Sequence, residues 1–118
     1  MNIKSFAVNL TSEKPEPMKA FYRDIVGLAP KPEYGDGAFD AGGAELFIDG
    51  HSETHGPAKE PQRALIDFFV DDLASEQKRL EKHGVTFIRS AGTEEWGGVI
   101  STFLDPDGNY CQLIQLPG

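Results

Sequence analysis

The side chains with most chemistry to offer are two carboxylates in apolar surroundings, one tryptophan and a short histidine pair. Asp67 stands between Ile66 and Phe68 inside the apolar run from Ala64 to Val70. A carboxylate buried there without a partner is costly. It is therefore a charge partner for a cationic or hydrogen-bond-donating ligand, an ion pair with an arginine such as Arg63 or Arg89, or part of a strand face that stays wet. Glu45, in Ala44–Ile48, carries the same alternatives. Trp96 precedes Gly97 and Gly98, where an indole can stack on a planar ligand or fill a core gap. His51 and His55 have the i, i+4 spacing of a zinc pair, but only a helix would fix that geometry. Gly50, Gly56 and Pro57 surround them, so a solvated loop is expected. Glu94 and Glu95 read the same way. His83 closes a helix, where the partial negative charge of the helix end favours its protonated form. Cys111 pairs with no histidine in a recognisable way and reads as a small buried hydrophobe.

The whole-chain balance narrows the classes of partner. Nineteen acidic against 11 basic residues leave a formal charge of −8, which argues against a nucleic-acid footprint. The acidity suits a cationic ligand and serves solubility equally. A length of 118 residues with 39% hydrophobic side chains supports one domain with its own core. No apolar run reaches the roughly 20 residues of a membrane span, and no signal-peptide hydrophobic region opens the chain. A single cysteine forms no internal disulfide, so the cytoplasm is the expected compartment.

These side chains need a scaffold. Ile3–Leu10 predicts a strand with Phe6, Val8 and Leu10 on one face and Ser5, Ala7 and Asn9 on the other. Pro15 and Pro17 suit a first helical turn, and Met18, Phe21, Tyr22 and Ile25 form one apolar stripe before Gly27. Short strands follow at Ala29–Tyr34, Gly37–Ala41 and Ala44–Ile48. Asp49–Gln62 turns polar and reads as a linker. The order then restarts: a strand at Ala64–Val70, a helix capped by Asp71 or Asp72 with Leu73, Gln77 and Leu80 on one face, and strands at Val85–Arg89, Gly98–Leu104 and Tyr110–Leu116. Asp105–Asn109 is a tight turn. The prediction is an α+β fold of two βαβββ modules, one at about 1–49 and one at about 63–118, joined by a linker at about 50–62. The two modules pair into a curved mixed sheet around a central cavity, the default site for a ligand.

The segments Phe21-Tyr22-Arg23-Asp24-Ile25-Val26-Gly27-Leu28, Val70-Asp71-Asp72-Leu73, Trp96-Gly97-Gly98 and Phe103-Leu104-Asp105-Pro106-Asp107-Gly108-Asn109 resemble the vicinal oxygen chelate superfamily. It includes glyoxalase I, extradiol dioxygenases, fosfomycin-inactivating enzymes and bleomycin-resistance binding proteins. By that resemblance the positions that hold metal in the family's enzymes fall on Ser5, Glu45, Leu65 and Gln112. Leu65 has no donor atom, Ser5 is a poor ligand beside imidazole, and Gln112 offers a neutral carbonyl. A catalytic site typically uses about three good protein ligands, so no metal and no cofactor are expected.

The same alignment puts Ser5, Ala7, Asn9, Glu45, Phe47, Leu65, Asp67, Phe69, Gln112 and Ile114 on the inner face, with Trp96 at the rim. The expected function is a non-enzymatic binding protein that sequesters an aromatic or amphipathic compound, cationic ones included, as a homodimer. Trp96, Phe47 and Phe69 would stack on it, and Asp67, Glu45 and Gln112 would orient it. The alternative is a metal-dependent lyase, isomerase or dioxygenase of the glyoxalase I type, with Glu45 as ligand or base and Gln112 as a weak companion. A domain with a degenerate pocket that binds a protein partner is a third.

Overall fold

In a computed structural model describing residues 1–118, each half of the chain builds the same small motif. The first contains β1 (Ala7–Ser12), α1 (Pro15–Ala20), β2 (Ala29–Pro30), β3 (Ala38–Asp40) and β4 (Glu45–Gly50). The second contains β5 (Ile66–Phe69), α2 (Leu73–Lys82), β6 (Phe87–Thr93), β7 (Val99–Leu104) and β8 (Tyr110–Gln115). The halves form two compact units, Met1–Gly56 and Pro57–Gly118. Their sheets have matching orders, β1-β4-β3-β2 and β5-β8-β7-β6. In each, the first strand runs parallel to the last and the other neighbours are antiparallel. A parallel pair needs a crossover, which the helix supplies. The α+β class and the βαβββ repeat are therefore present as expected. No helix is long and apolar enough to cross a membrane.

The boundaries differ where the pattern of side chains says little about backbone pairing. The first strand begins at Ala7, not Ile3, because its partner β4 begins at Glu45 after the Gly42–Gly43 turn. Ser5 therefore lies outside the sheet. In the stretch Ala29–Tyr34 only Ala29 and Pro30 pair. Proline has no N–H to extend the ladder, and Pro32–Tyr34 forms a 3₁₀ turn instead. The polar stretch starts two residues late, since Asp49 and Gly50 still pair with β1. Strand β6 runs on to Thr93 and shifts register against β7 twice between Phe87 and Gly92.

The first helix also changes character. From Phe21 to Val26 it widens into a π-helix, and the Gly27 N–H donates to the Tyr22 carbonyl at 3.1 Å, five residues back. Met18 and Tyr22 are fully buried and Phe21 nearly so. The wider turn rotates Ile25 off the stripe, and it is only half-buried. Gly27, at φ +90°, closes the helix. In the second unit, Asp72 Oδ1 accepts from the Ser75 N–H at 3.1 Å, capping α2. The Leu73 N–H donates to Gln115 Oε1 of β8 at 2.8 Å. Leu73, Gln77 and Leu80 are buried, as are Phe103, Cys111 and Leu113 of the sheet.

Candidate functional site

Cross-strand register sorts the second sheet into two faces. Ile66, Phe68, Ser101, Phe103, Cys111 and Leu113 share the face that carries the buried core. Side chains alternate along a strand, so Asp67, Phe69, Ile100, Thr102, Gln112 and Ile114 share the other. Asp67 is in register with Gln112, and Gln112 with Thr102. Phe69 is in register with Ile114, and Ile114 with Ile100. A polar row thus lies beside an apolar one. Exposure falls inward from edge strand β5: Asp67 and Phe69 are exposed, Gln112 is half-buried and Thr102 is buried. Leu65, just before β5, is exposed.

Asp67 has none of the ion pairs anticipated for it. Arg89 instead meets Glu94, with Nη2 2.8 Å from Oε1, and Glu94 is thereby a paired residue, not a solvated one. Partial burial pushes the Asp67 carboxyl above the usual carboxylate range, and no neighbouring cation or donor offsets it. No hydrogen bond joins the carboxyl to Gln112, whose Nε2 directs one N–H to Thr102 Oγ1 at 3.1 Å. What Gln112 still presents is its amide oxygen, another acceptor. The row therefore seeks a donor.

In the first unit, Ala7, Asn9 and Thr11 are in register with Glu45, Phe47 and Asp49. These alternate with Leu46 and Ile48, which are buried, so they too share the face away from the core. Here the polar groups are satisfied. Asn9 Nδ2 donates to Asp49 Oδ2 at 2.9 Å. Glu45 Oε1 accepts from Lys31 Nζ at 3.0 Å, with both side chains largely buried. That hydrogen bond holds the Lys31 ammonium above its ordinary pKa, and Lys31 also lies 5.2 Å from the centre of the Tyr34 ring. Lys31 sits between Pro30 and Pro32 and gave no sequence signal.

These surroundings do not suit a divalent cation. Of the four positions the family's metalloenzymes use, Leu65 has no donor and Ser5 lies outside the sheet. Glu45 is neutralised by a lysine whose ammonium would repel a cation, and Gln112 offers one neutral amide oxygen. No group of three or more His, Cys, Asp or Glu is arranged to hold a metal. His51 and His55 are not helical. His51 Nδ1 accepts from the Glu53 N–H at 3.0 Å, and His55 Nδ1 lies 3.8 Å from Glu13 Oε1. Cys111 is fully buried.

Trp96 sits in the turn before β7, whose first residue, Val99, pairs with Gln115 near the end of β8. The turn is closed by the Gly97 N–H to the Glu94 carbonyl at 2.9 Å and the Glu94 N–H to the Gly98 carbonyl at 2.7 Å. The indole is 52% exposed. Within the second unit the structure thus gathers Asp67, Phe69 and Gln112 on one face, with Leu65 preceding that strand. Glu45, Phe47 and Asn9 gather on the first. The residues missed from the sequence are Lys31 and Thr102, the partners that engage Glu45 and Gln112. Alternation within Ser101–Leu104 would have placed Thr102; nothing would have placed Lys31.

Comparison with known proteins agrees with this architecture. The family model described as glyoxalase/bleomycin resistance protein/dioxygenase superfamily matches residues 4–113. The uncharacterised protein YurT of Bacillus subtilis (strain 168) is 30% identical, across 80% of this chain and 85% of its own. Among solved structures, a glyoxalase/bleomycin resistance protein/dioxygenase family enzyme from Burkholderia phytofirmans PsJN superposes with a TM-score of 0.76 at 20% identity, covering 93% of this chain and 96% of that one. A putative glyoxalase family protein from Bacillus anthracis gives 0.70 at 26% identity, covering 98% and 95%. With its two βαβββ units and a family match over nearly its full length, this chain belongs to the glyoxalase/bleomycin resistance protein/dioxygenase superfamily.

Proposed function

We propose that this protein binds and sequesters a small aromatic or amphipathic cation without the help of a metal. The observation that carries the reading is Asp67: a partly desolvated carboxylate, unpaired, beside a second acceptor and between exposed Leu65 and Phe69. A protonated amine would supply the donors that Asp67 and Gln112 lack, and a ring would cover the apolar row. On the strength of the family resemblance, Phe47, Asn9, Glu45 and Ser5 are proposed as ligand-facing positions of the first unit. On the same resemblance we propose a homodimer, and from the lone cysteine a cytoplasmic one; sedimentation velocity reads the first.

Two measurements test the function. Elemental analysis of untagged protein, after supply of nickel, zinc, iron and manganese, should find well under one metal per chain. Calorimetric titration with 9-aminoacridine, a planar aromatic monocation, should show saturable binding that 2-naphthoate, its charge-reversed counterpart, does not. Asp67→Asn should weaken that binding about tenfold or more, the worth of a hydrogen bond to a charged group. One metal per chain, or equal binding of anion and cation, would overturn the proposal.

A further inference from the structure

Gly98 is buried although Trp96, two residues earlier, is half exposed. The reason is that the indole lies over it: a Cβ built on Gly98 would fall among the ring atoms Cη2, Cζ3 and Cε3. The six-membered ring therefore rests against the glycine backbone, and the absent side chain is what gives it room. Backbone conformation is not the constraint. Gly97 needs its positive φ of +94°, but Gly98 is not among the glycines with positive φ, and the nearest atoms an alanine there would meet are those of the indole. The Glu94–Gly98 hydrogen bonds hold the two residues in this relation.

We infer that Gly98 is a positioning residue for ligand binding, holding the Trp96 indole against the backbone so that its exposed surface is presented in one fixed orientation. A ring braced this way stacks on a planar ligand without first losing rotamer freedom. The inference rests on the proposed binding function for its consequence but not for its geometry, and the two can fail separately.

The test exploits Trp96 being the single tryptophan. In Gly98→Ala, acrylamide quenching of Trp96 should rise and its emission maximum should move, because the ring is expelled from its seat. Affinity for 9-aminoacridine should fall about tenfold, the upper worth of one stacked contact. In a Trp96→Ala background, adding Gly98→Ala should change the affinity no further. Should Gly98→Ala alone fail to fold, the double variant should fold, since the clash is gone. Unchanged quenching and emission in Gly98→Ala, or a double variant that also fails to fold, overturns the inference. If the wild type does not bind 9-aminoacridine, the function proposal fails, while the quenching comparison still decides the role of Gly98.

Discussion

Gln112 Nε2 donates to Thr102 Oγ1 at 3.1 Å, and that one bond determines what its other neighbour can do. Asp67 stands in register with Gln112 on the opposite strand. The amide directs an N–H toward β7 instead, and no protein donor meets the carboxylate. The contrast with the first unit is direct: there Glu45 is answered by Lys31.

Asp67→Asn is expected to stabilise the fold while weakening cation binding about tenfold or more. The folded-state pKa is raised by burial, so the folded protein holds its proton more tightly than the unfolded chain does. Asp67 thus costs stability as pH rises through that raised pKa, and costs nothing below the unfolded value. The variant should therefore gain at neutral pH, by about 0.5 kcal/mol at most for so exposed a group. The gain should vanish in acid. Thermal melts of both proteins across pH 3 to 8 read the crossover, those limits bracketing roughly the carboxylate range.

Thr102→Val should release the Gln112 amide. Its nitrogen would then turn to Asp67, and the Asp67 carboxyl should fall toward the ordinary carboxylate range in an NMR titration. Loss of the buried bond should lower stability by about 1 kcal/mol. An unmoved Asp67 titration would mean that Gln112 is held by its packing and not by Thr102.

Ser101 is a residue the fold would do better without. Its hydroxyl is fully buried on the face opposite Thr102 and meets no hydrogen-bond partner, as does Gln77 Oε1 on α2. Ser101→Ala removes the unsatisfied group at little loss of volume. Urea denaturation should show a gain of about 1 kcal/mol with an unchanged m-value.

Asp105 is the opposite case. Its carboxylate accepts from the Asp107 N–H at 3.0 Å, the Asn109 N–H at 2.9 Å and Asn109 Nδ2 at 2.8 Å, and it is buried. It organises the turn that delivers β8, and so Gln112, to the sheet. Asp105→Ala should cost about 2–3 kcal/mol, read by the same denaturation experiment.

Much of the scaffold was legible because period and punctuation are local properties. Leu73, Gln77 and Leu80 are spaced for one helix face and are buried together. Pro15 at the start of α1 and Gly27 after the π-helix mark boundaries through their own backbone preferences. Ser5 and the stretch Ala29–Tyr34 were misjudged for the complementary reason. Whether a residue belongs to a strand depends on a partner's N–H and C=O, which side-chain alternation does not report.

The site divides along the same line. The chain by itself determined the βαβββ repeat and the alternation that puts Asp67 and Phe69 on one strand face. Each follows from residue identity and spacing along a single strand or helix. Only the tertiary structure decided that Glu45 is spent on Lys31, that Gln112 donates to Thr102, that Arg89 goes to Glu94, and that Trp96 lies on Gly98. Lys31 follows β2 while Glu45 opens β4, Thr102 and Gln112 lie on β7 and β8, and the Arg89 and Trp96 contacts depend on how the β6–β7 turn closes. A hydrogen bond is satisfied at about 3 Å, and folding, not order along the chain, decides which groups meet at that distance.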